Sequence, residues 1–312
     1  MKKLRNILTQ LKNNNLLLYY VWTEFVRLKG QKALKKYTDI EAVTNMYYAY
    51  SGSYPNLKNP TLFSEKMQWL KLYYRNPTMP IAADKFEVRA YLKQKGYAHL
   101  LNKLIQVYDN VADIDLKKLP NKFVLKASHG SGWNLIVKDK TTINWFLWKR
   151  ILKSWLKHNI FWNGREWVYK NIKPQLVCEH YLEDKSGALM DYKFHCFNGK
   201  AQFIQANNGR GQKKHAQNFY DLNWKLAPFG KDLTPLPEVQ IPKPCGFNEM
   251  LVIANDLASE FPYTRVDFYE VNKKIIFGEL TFFPASGMPD FKPQKYDKIW
   301  GEMLILPKQK TI

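Results

Sequence analysis

Arg265, Asp267, Glu279 and Thr281 are the residues of this 312-residue chain whose types and spacing most directly suggest chemistry. The first two stand two apart in Arg265-Val266-Asp267-Phe268-Tyr269, and the second two stand two apart in Glu279-Leu280-Thr281. Side chains of an extended chain alternate between faces, so each pair shares a face, with Val266, Phe268, Ile276 and Leu280 on the other. An odd-length turn, for example residues 272–274, would set Asp267 opposite Glu279 and Arg265 opposite Thr281. Adjacent carboxylates repel unless a cation lies between them, and oxygen-only ligation suits Mg²⁺ bridging nucleotide phosphates. Arg265 could hold charge that develops on a transferred phosphoryl group or a tetrahedral intermediate. Taken alone, the four residues also read as a surface salt-bridge ladder.

A second set precedes it. Phe123-Val124-Leu125-Lys126-Ala127 and Leu135-Ile136-Val137-Lys138 read as strands joined by Ser128-His129-Gly130-Ser131-Gly132-Trp133-Asn134. This is a hairpin with a glycine-rich tip, whose backbone N–H groups can turn toward a phosphate. The loop joins strand to strand, which argues against a dinucleotide fingerprint and against a Walker loop, and no His-Arg-Asp or Asp-Phe-Gly follows as in a protein kinase. Lys126 could reach the same phosphates, or could be a solvated strand lysine. His129 could stabilise charge there or make a structural hydrogen bond.

The order of these motifs resembles the ATP-grasp fold of carboxylate–amine ligases: a strand lysine, a glycine-rich hairpin, a strand ending in Glu179-His180-Tyr181-Leu182, then Arg-x-Asp and Glu-x-Thr on paired strands. The stretch from Arg265 to Ser286-Gly287-Met288 is similar to the metal-binding end of D-alanine–D-alanine ligase. More closely, Phe63-Ser64-Glu65-Lys66, Asp84-Lys85 through Val88-Arg89, 126–132, Asp191-Tyr192-Lys193, Phe197-Asn198-Gly199-Lys200 and Gly278-Glu279-Leu280-Thr281 resemble the TupA-like (teichuronopeptide-biosynthesis) ATP-grasp branch, over roughly residues 40–305. Several motifs in fixed order are far more specific than any one.

The resemblance implies an α+β ATP-grasp fold, two α+β lobes gripping ATP, with a helical N-terminal extension. It implies ATP and Mg²⁺ as cofactors. Lys126 would contact the α- and β-phosphates, and the loop of His129, Gly130, Ser131 and Gly132 would close over them. Glu179 and the Leu182 backbone would meet the adenine edge, Asp191 the ribose, and Lys193 would face the nucleotide as a further cation. Asp267, Glu279 and Thr281 would hold the metal and Arg265 would stabilise the reacting species. The family's usual asparagine stands here as Thr281.

The implied reaction is ligation through an acyl-phosphate: a carboxylate attacks the γ-phosphate, then an amine displaces phosphate to leave an amide. In this branch the substrates would be an amino acid or other amine and an anionic glycan, or a nucleotide- or lipid-linked uronate, in cell-surface polysaccharide biosynthesis. Rival readings are a glycosyltransferase using Asp113-Ile114-Asp115, which looks more like a helix cap, and a glycan kinase on the same nucleotide site.

The surrounding elements must position these groups. Residues 1–60 read as a basic helical extension, with Leu4, Ile7, Leu8, Leu11, 16–22, Phe25 and Leu28 at helical spacing, able to lie on an anionic membrane surface or to pack on their own core. Residues 61–120 read as a helical region, including a helix from 84 to Gly96, and 121–305 as the ATP-grasp domain, with lobes of roughly 121–178 and 179–305. Ile143, Phe146, Leu147, Ile151 and Trp155 would share a face of a helix over 142–158. Asn198-Gly199 marks a hairpin between 192–197 and 201–206, and 248–261 reads as a helix. Residues 207–248 read as a loop in which Arg210, Lys213, Lys214 and His215 would recognise the acceptor. His180 and His195 read as structural.

Composition bounds the rest. With 46% hydrophobic and 24% charged residues the chain is globular, and 15% aromatic residues suit a packed core or stacking surfaces. The net charge of +21 favours anionic partners. Nucleic acid is not expected among them, because no recognition motif accompanies the charge. Cys178, Cys196 and Cys245 are an odd set without metal spacing, read as reduced thiols of a cytoplasmic protein, with peripheral contact to the inner membrane surface allowed. The longest apolar run, 16–22, is far short of the ~20 residues of a spanning helix. The opening Met-Lys-Lys-Leu-Arg imitates a secretory leader, but Lys12 and Asn13-Asn14-Asn15 interrupt its apolar core, so none is expected.

Overall fold

A computed structural model describes residues 15–185, 189–208, 216–232, 236 and 238–308. Leu4, Ile7, Leu8 and Leu11, and the acceptor candidates Arg210, Lys213, Lys214 and His215, lie outside the described residues. The chain divides into two compact units, the first ending at Ala42 and resuming over Asp84–Val88 and Lys103–Tyr181, the second made of Val43–Ala83, Arg89–Asn102 and the chain from Leu182 onward. The division therefore runs through residues 61–120 and falls again between Tyr181 and Leu182.

The first unit is built on an antiparallel sheet of β1 (Leu104–Tyr108), β2 (Phe123–Ala127), β3 (Asn134–Val137) and β4 (Leu176–His180), in the order β1-β4-β2-β3. Alternation along β2 buries Phe123, Leu125 and Ala127 and leaves Val124 and Lys126 on the opposite face. Leu135 and Val137 of β3 and Leu176 and Cys178 of β4 join that core, covered by Trp148, Ile151, Leu152 and Trp155 of the helix Trp145–Lys157. Each such side chain contributes about 1.5–3 kcal/mol of burial. This helix starts later than the expected 142, because the Asn144 side chain accepts the Leu147 N–H at 3.1 Å and caps it. The inward face is also one step round from the expected one: Phe146 is 66% exposed and Trp148 is buried. Arg165, buried in left-handed backbone, donates to the Leu34 and Tyr37 carbonyls at 2.7 and 3.0 Å, tying down the N-terminal helical segment.

The second unit carries five antiparallel strands in the order β10-β9-β5-β6-β7: β5 (Met190–Phe197), β6 (Lys200–Asn208), β7 (Ala216–Tyr220), β9 (Tyr263–Val271) and β10 (Lys274–Thr281). Two short strands, β8 (Gly230–Lys231) and β11 (Phe291–Lys292), form a separate ribbon. As expected, Asn198 and Gly199 turn β5 into β6, with φ of 48° and 81°. The helix expected over 248–261 forms as Phe247–Ala258 and covers one sheet face, burying Met250, Ile253, Ala254 and Leu257 there while Phe194 lies 5.6 Å from Phe268, ring centre to ring centre. Trp300, on the helix Lys295–Met303, lies among Phe63, Phe197, Phe203 and Phe291. The helix Phe63–Tyr73 is fixed at its start by Glu65, whose carboxylate accepts the N–H groups of Asn56, Thr61 and Leu62. The strand β7 was not expected within 207–248, and the helix expected from 84 is the shorter Val88–Gln94. Among the described residues no helix is long and apolar enough to cross a membrane.

Candidate functional site

In the first unit the face of β2 and β4 away from the helix Trp145–Lys157 carries Lys126 and Glu179, diagonal neighbours in the register that pairs Lys126 with Val177 and Val124 with Glu179. Their ion pair is 2.7 Å long. The hairpin loop beyond Lys126 is anchored at its base: the Ser128 N–H donates to Gln175 O at 2.9 Å and the Ser128 hydroxyl to Lys173 O at 3.1 Å. Lys85, from a distant stretch of chain, donates through its backbone to Ser128 O and through its ammonium to Gly130 O. Trp133 closes the far side, stacked 6.3 Å from Trp155 and edge-on to His158 at 4.9 Å. Glycine is needed twice here for different reasons. A Cβ at Gly130 would come within 2.3 Å of the Trp133 ring, and Gly132 has φ of +74°. Ser131 and Gly132 form the exposed tip, where backbone donors can meet a ligand.

His129 does not share that tip. Its side chain is buried, its Nε2 lies 3.0 Å from Trp155 O, and burial pushes its pKa below the ordinary range, so the neutral ring serves the loop's packing instead of facing a phosphate. Leu182 belongs to the second unit, Glu179 to the first.

The second unit gathers the other candidates on the sheet face away from the helix Phe247–Ala258. Arg265 grips Asp267 with two hydrogen bonds, Nε to Oδ1 at 2.6 Å and Nη2 to Oδ2 at 2.7 Å, and its Nη2 also reaches Glu279 Oε1 and Thr281 Oγ1, each at 3.1 Å. The Thr281 hydroxyl donates to Glu279 Oε1 at 3.1 Å. Lys193 lies 2.5 Å from Asp267 Oδ2 and 2.8 Å from Asp191 Oδ1. Asp191, expected at the ribose, and Lys193, expected to face the nucleotide, are thus buried members of one ion network with Asp267. Burial pushes the Asp267 carboxyl above the ordinary carboxylate range, and the charges of Arg265 and Lys193 oppose that push.

The expected pairing of Asp267 with Glu279 and of Arg265 with Thr281 is present, by another route. Asn272 and Lys273 form a two-residue turn with φ of 50° and 65°, and a bulge at Gly278 supplies the missing residue. Before the bulge the faces are exchanged relative to expectation: Phe277 pairs with Phe268, and Ile276 shares a face with Tyr269.

Sequence reasoning missed several participants. Lys231 on β8 is buried, and burial together with Arg265 and Lys193 brings its ammonium down to about 8, against partial support from Asp232 and Asp267. After Thr281 the chain passes through Ala285, Ser286 and Gly287, all in left-handed backbone, a conformation costing roughly 1–2 kcal/mol at each non-glycine residue. The buried Lys71 holds this turn, donating to Ser286 O at 2.6 Å, while Gln68 donates to Gly287 O at 3.1 Å. Ser286-Gly287-Met288 belongs to the resemblance given above, whereas the parts of Lys71 and Gln68 carried no sequence signal. His195 is structural as expected: Nε2 donates to Gln205 Oε1 at 3.3 Å and Nδ1 accepts from the Tyr263 hydroxyl at 2.7 Å, with burial keeping the ring neutral. Asp113 lies in a short turn and Asp115 caps the Lys117 N–H at 2.9 Å, so the Asp-x-Asp serves local structure.

Among the described residues no group of three His, Cys, Asp or Glu side chains is placed to hold a metal ion. Glu279 and Thr281 offer oxygen donors, with Glu279 the more open at 42% side-chain exposure, and Asp267 retains lone pairs beyond those taken by Arg265 and Lys193. These donors fit an oxygen-ligated divalent cation that draws on all three.

A family model described as "TupA-like ATPgrasp" matches residues 65–305. No curated protein matches the chain. Among solved structures it is similar to D-alanine–D-alanine ligase from Bacillus anthracis, at 20% identity over 65% of this chain and 57% of that one, with a TM-score of 0.36. It is also similar to the same enzyme from Helicobacter pylori, at 17% identity over 73% and 62% with a TM-score of 0.39. A third is the L-amino acid ligase from Bacillus licheniformis, at 12% identity over 68% and 44% with a TM-score of 0.38. The chain thus spans less than two thirds of each of these proteins.

Proposed function

The chain belongs to the TupA-like ATP-grasp family, and from that premise we propose that it is an ATP-dependent carboxylate–amine ligase of cell-surface polysaccharide biosynthesis. Its substrates would be an amino acid and the carboxyl group of a uronic acid, free or carried on a nucleotide or lipid. The observation that carries this reading is the single sheet face on which Arg265, Asp267, Glu279 and Thr281 meet.

A free carboxylate is a poor acyl donor and must be activated. In the first step a carboxylate oxygen attacks the γ-phosphorus, the bond to the β–γ bridging oxygen breaks, and ADP leaves. In the second the amine nitrogen attacks the acyl carbon, loses a proton, and phosphate departs with the C–O bonding pair. Lys126 and the N–H groups around Ser131 and Gly132 neutralise and position the phosphates, and Glu179 orients Lys126. Arg265, already fixed by Asp267, holds negative charge on the acyl-phosphate and on the tetrahedral oxygen. Glu279, Thr281 and Asp267 would hold Mg²⁺, which supplies charge neutralisation at the triphosphate. Lys193 and Asp191 keep Asp267 in place. We place the reaction in the cytoplasm, where ATP is held, with the basic N-terminal segment against the inner membrane surface that presents lipid-linked glycan.

The test is thermal stabilisation by Mg-ATP against Mg-UDP-sugar, followed by a screen of amino acids with uronates for ADP release. Ligand at a hundred times its Kd adds about 2.7 kcal/mol to the folded state. Stabilisation by ATP that Glu279→Gln weakens, with ADP release needing both an amine and a uronate, supports the ligase. A response to UDP-sugar alone overturns it, and a phosphorylated glycan formed without amide transfers the assignment to a kinase.

A further inference from the structure

The helix Leu16–Phe25 is apolar on both of its sides. Tyr19 is buried in the core of the first unit with Leu16 and Tyr20 packed beside it, while Leu17, Leu18, Val21 and Phe25 are 51–54% exposed. At 100° per residue the two sets project in opposite directions, so the exposed residues form an outward stripe. Leu28 continues the exposed apolar surface in the π-helical turn Val26–Gly30. A helix that is apolar all round is normally enclosed by protein or by lipid. Ten residues rise only ~15 Å, half the hydrocarbon thickness, so this helix can lie in an interface but not cross one.

Charge selects the surface it fits. The first 36 residues carry nine lysines and arginines against one acidic residue, Glu24, and Glu24 is paired with Arg27 at 2.7 Å. Lys32 and Lys36, just beyond the stripe, are exposed. The helix Trp145–Lys157, on which Leu16–Phe25 packs, exposes Lys149, Arg150, Lys153 and Lys157 as well. A protein partner would have to be acidic around an apolar groove, whereas anionic phospholipid offers both features as one continuous surface.

We propose that the outer face of residues 16–28 docks on an anionic bilayer, with Leu17, Leu18, Val21 and Phe25 entering the headgroup boundary and the flanking lysines bound to lipid phosphates. This rests on the peripheral place proposed above, and is independent of the ligase chemistry.

The experiment is co-sedimentation of the full chain with phosphatidylcholine vesicles, with and without phosphatidylglycerol, for wild type and Leu17→Ser/Val21→Ser, whose substituted positions are both solvent-exposed. Wild type is expected to bind only the phosphatidylglycerol vesicles, less so as salt rises, and the variant at least ~10-fold more weakly with unchanged Mg-ATP stabilisation. Undiminished binding by the variant overturns the assignment of this face while leaving peripheral binding in place. Absence of wild-type binding overturns both. A wild-type dimer in light scattering that the variant dissociates gives the face to a second copy instead and overturns the proposal. ADP release measured without vesicles reports on the ligase reading separately.

Discussion

Glu279 stands opposite Asp267 one residue later than an unbroken ladder from the Asn272–Lys273 turn would set it. Without the bulge, Asp267 would face Gly278, and Glu279 would face Val266 on the helix-covered side. A Cβ at Gly278 would lie 3.0 Å from Asp267 O. Deleting Gly278 should remove the bulge and leave an unbroken ladder with Phe277 opposite Phe268, Glu279 opposite Asp267 and Thr281 opposite Arg265, so that stabilisation by Mg-ATP is retained. Gly278→Ala, which crowds the bulge but keeps its register, should cost about 1–3 kcal/mol in denaturant unfolding and retain a measurable ATP response. Loss of nucleotide binding by the deletion would show that the local geometry of the bulge is needed and that the pairing alone does not suffice.

Lys126 should matter to nucleotide and also to folding. Its partner Glu179 is buried, with a side chain 9% exposed against 24% for Lys126, so removing the ammonium takes a counter-charge from a buried carboxylate and lowers stability as well. A hydrogen bond to a charged group is worth about 1.5–3 kcal/mol, so Lys126→Ala should weaken ATP binding roughly 10–100-fold in titration calorimetry. A melting temperature lowered in proportion, with ATP affinity intact, would make the residue purely structural.

Arg265 fits Asp267 through the planar fork of its guanidinium, a geometry that an ammonium cannot reproduce. Arg265→Lys retains the charge and avoids leaving Asp267 uncompensated. It should lower kcat for ADP release by about 10²–10³ with a much smaller change in the affinity for ATP. Equal loss in both quantities would assign Arg265 to ground-state binding.

Lys231 carries a pKa of about 8 in the folded chain, against roughly 10.4 when unfolded. Between those values the unfolded chain binds a proton that the folded chain has released, so the contribution of this residue to stability rises with pH across that window. Unfolding free energies of wild type and Lys231→Met should converge from pH 7 toward pH 10.5, by up to about 3 kcal/mol. Parallel curves would mean that the ammonium is not held in a buried setting.

Much of this was readable in the chain, and what was hidden was hidden for physical reasons. Strict alternation around Phe123 and Val266 and the Asn198-Gly199 dipeptide encode strands and turns locally, and so these elements were found. The pairing of Asp267 with Glu279 was also foreseen, but from an odd-length turn; two residues and a bulge produce the same offset. The helix Trp145–Lys157 has aromatic residues on both sides, so periodicity alone could not decide between Phe146 and Trp148. β7 escaped because Gln217 and Asn218 put two amides in succession where alternation was sought. Lys231 was invisible for a different reason: its surroundings, Arg265, Lys193 and the Trp300 ring 5.9 Å away, come from remote parts of the chain.

The anchoring of the hairpin loop bears on how much a nucleotide must contribute to close it. Fixing one residue's backbone costs about 1–2 kcal/mol of conformational entropy. Of residues 128–133, Ser128 is tied to Gln175 and Lys173, Gly130 to Lys85, and His129 and Trp133 to the aromatic cluster around Trp155. Only Ser131 and Gly132 remain to be ordered, about 2–4 kcal/mol in place of the roughly 6–12 kcal/mol that a loop of six untethered residues would demand. The folding of the first unit has already met most of the entropic cost of ordering this loop.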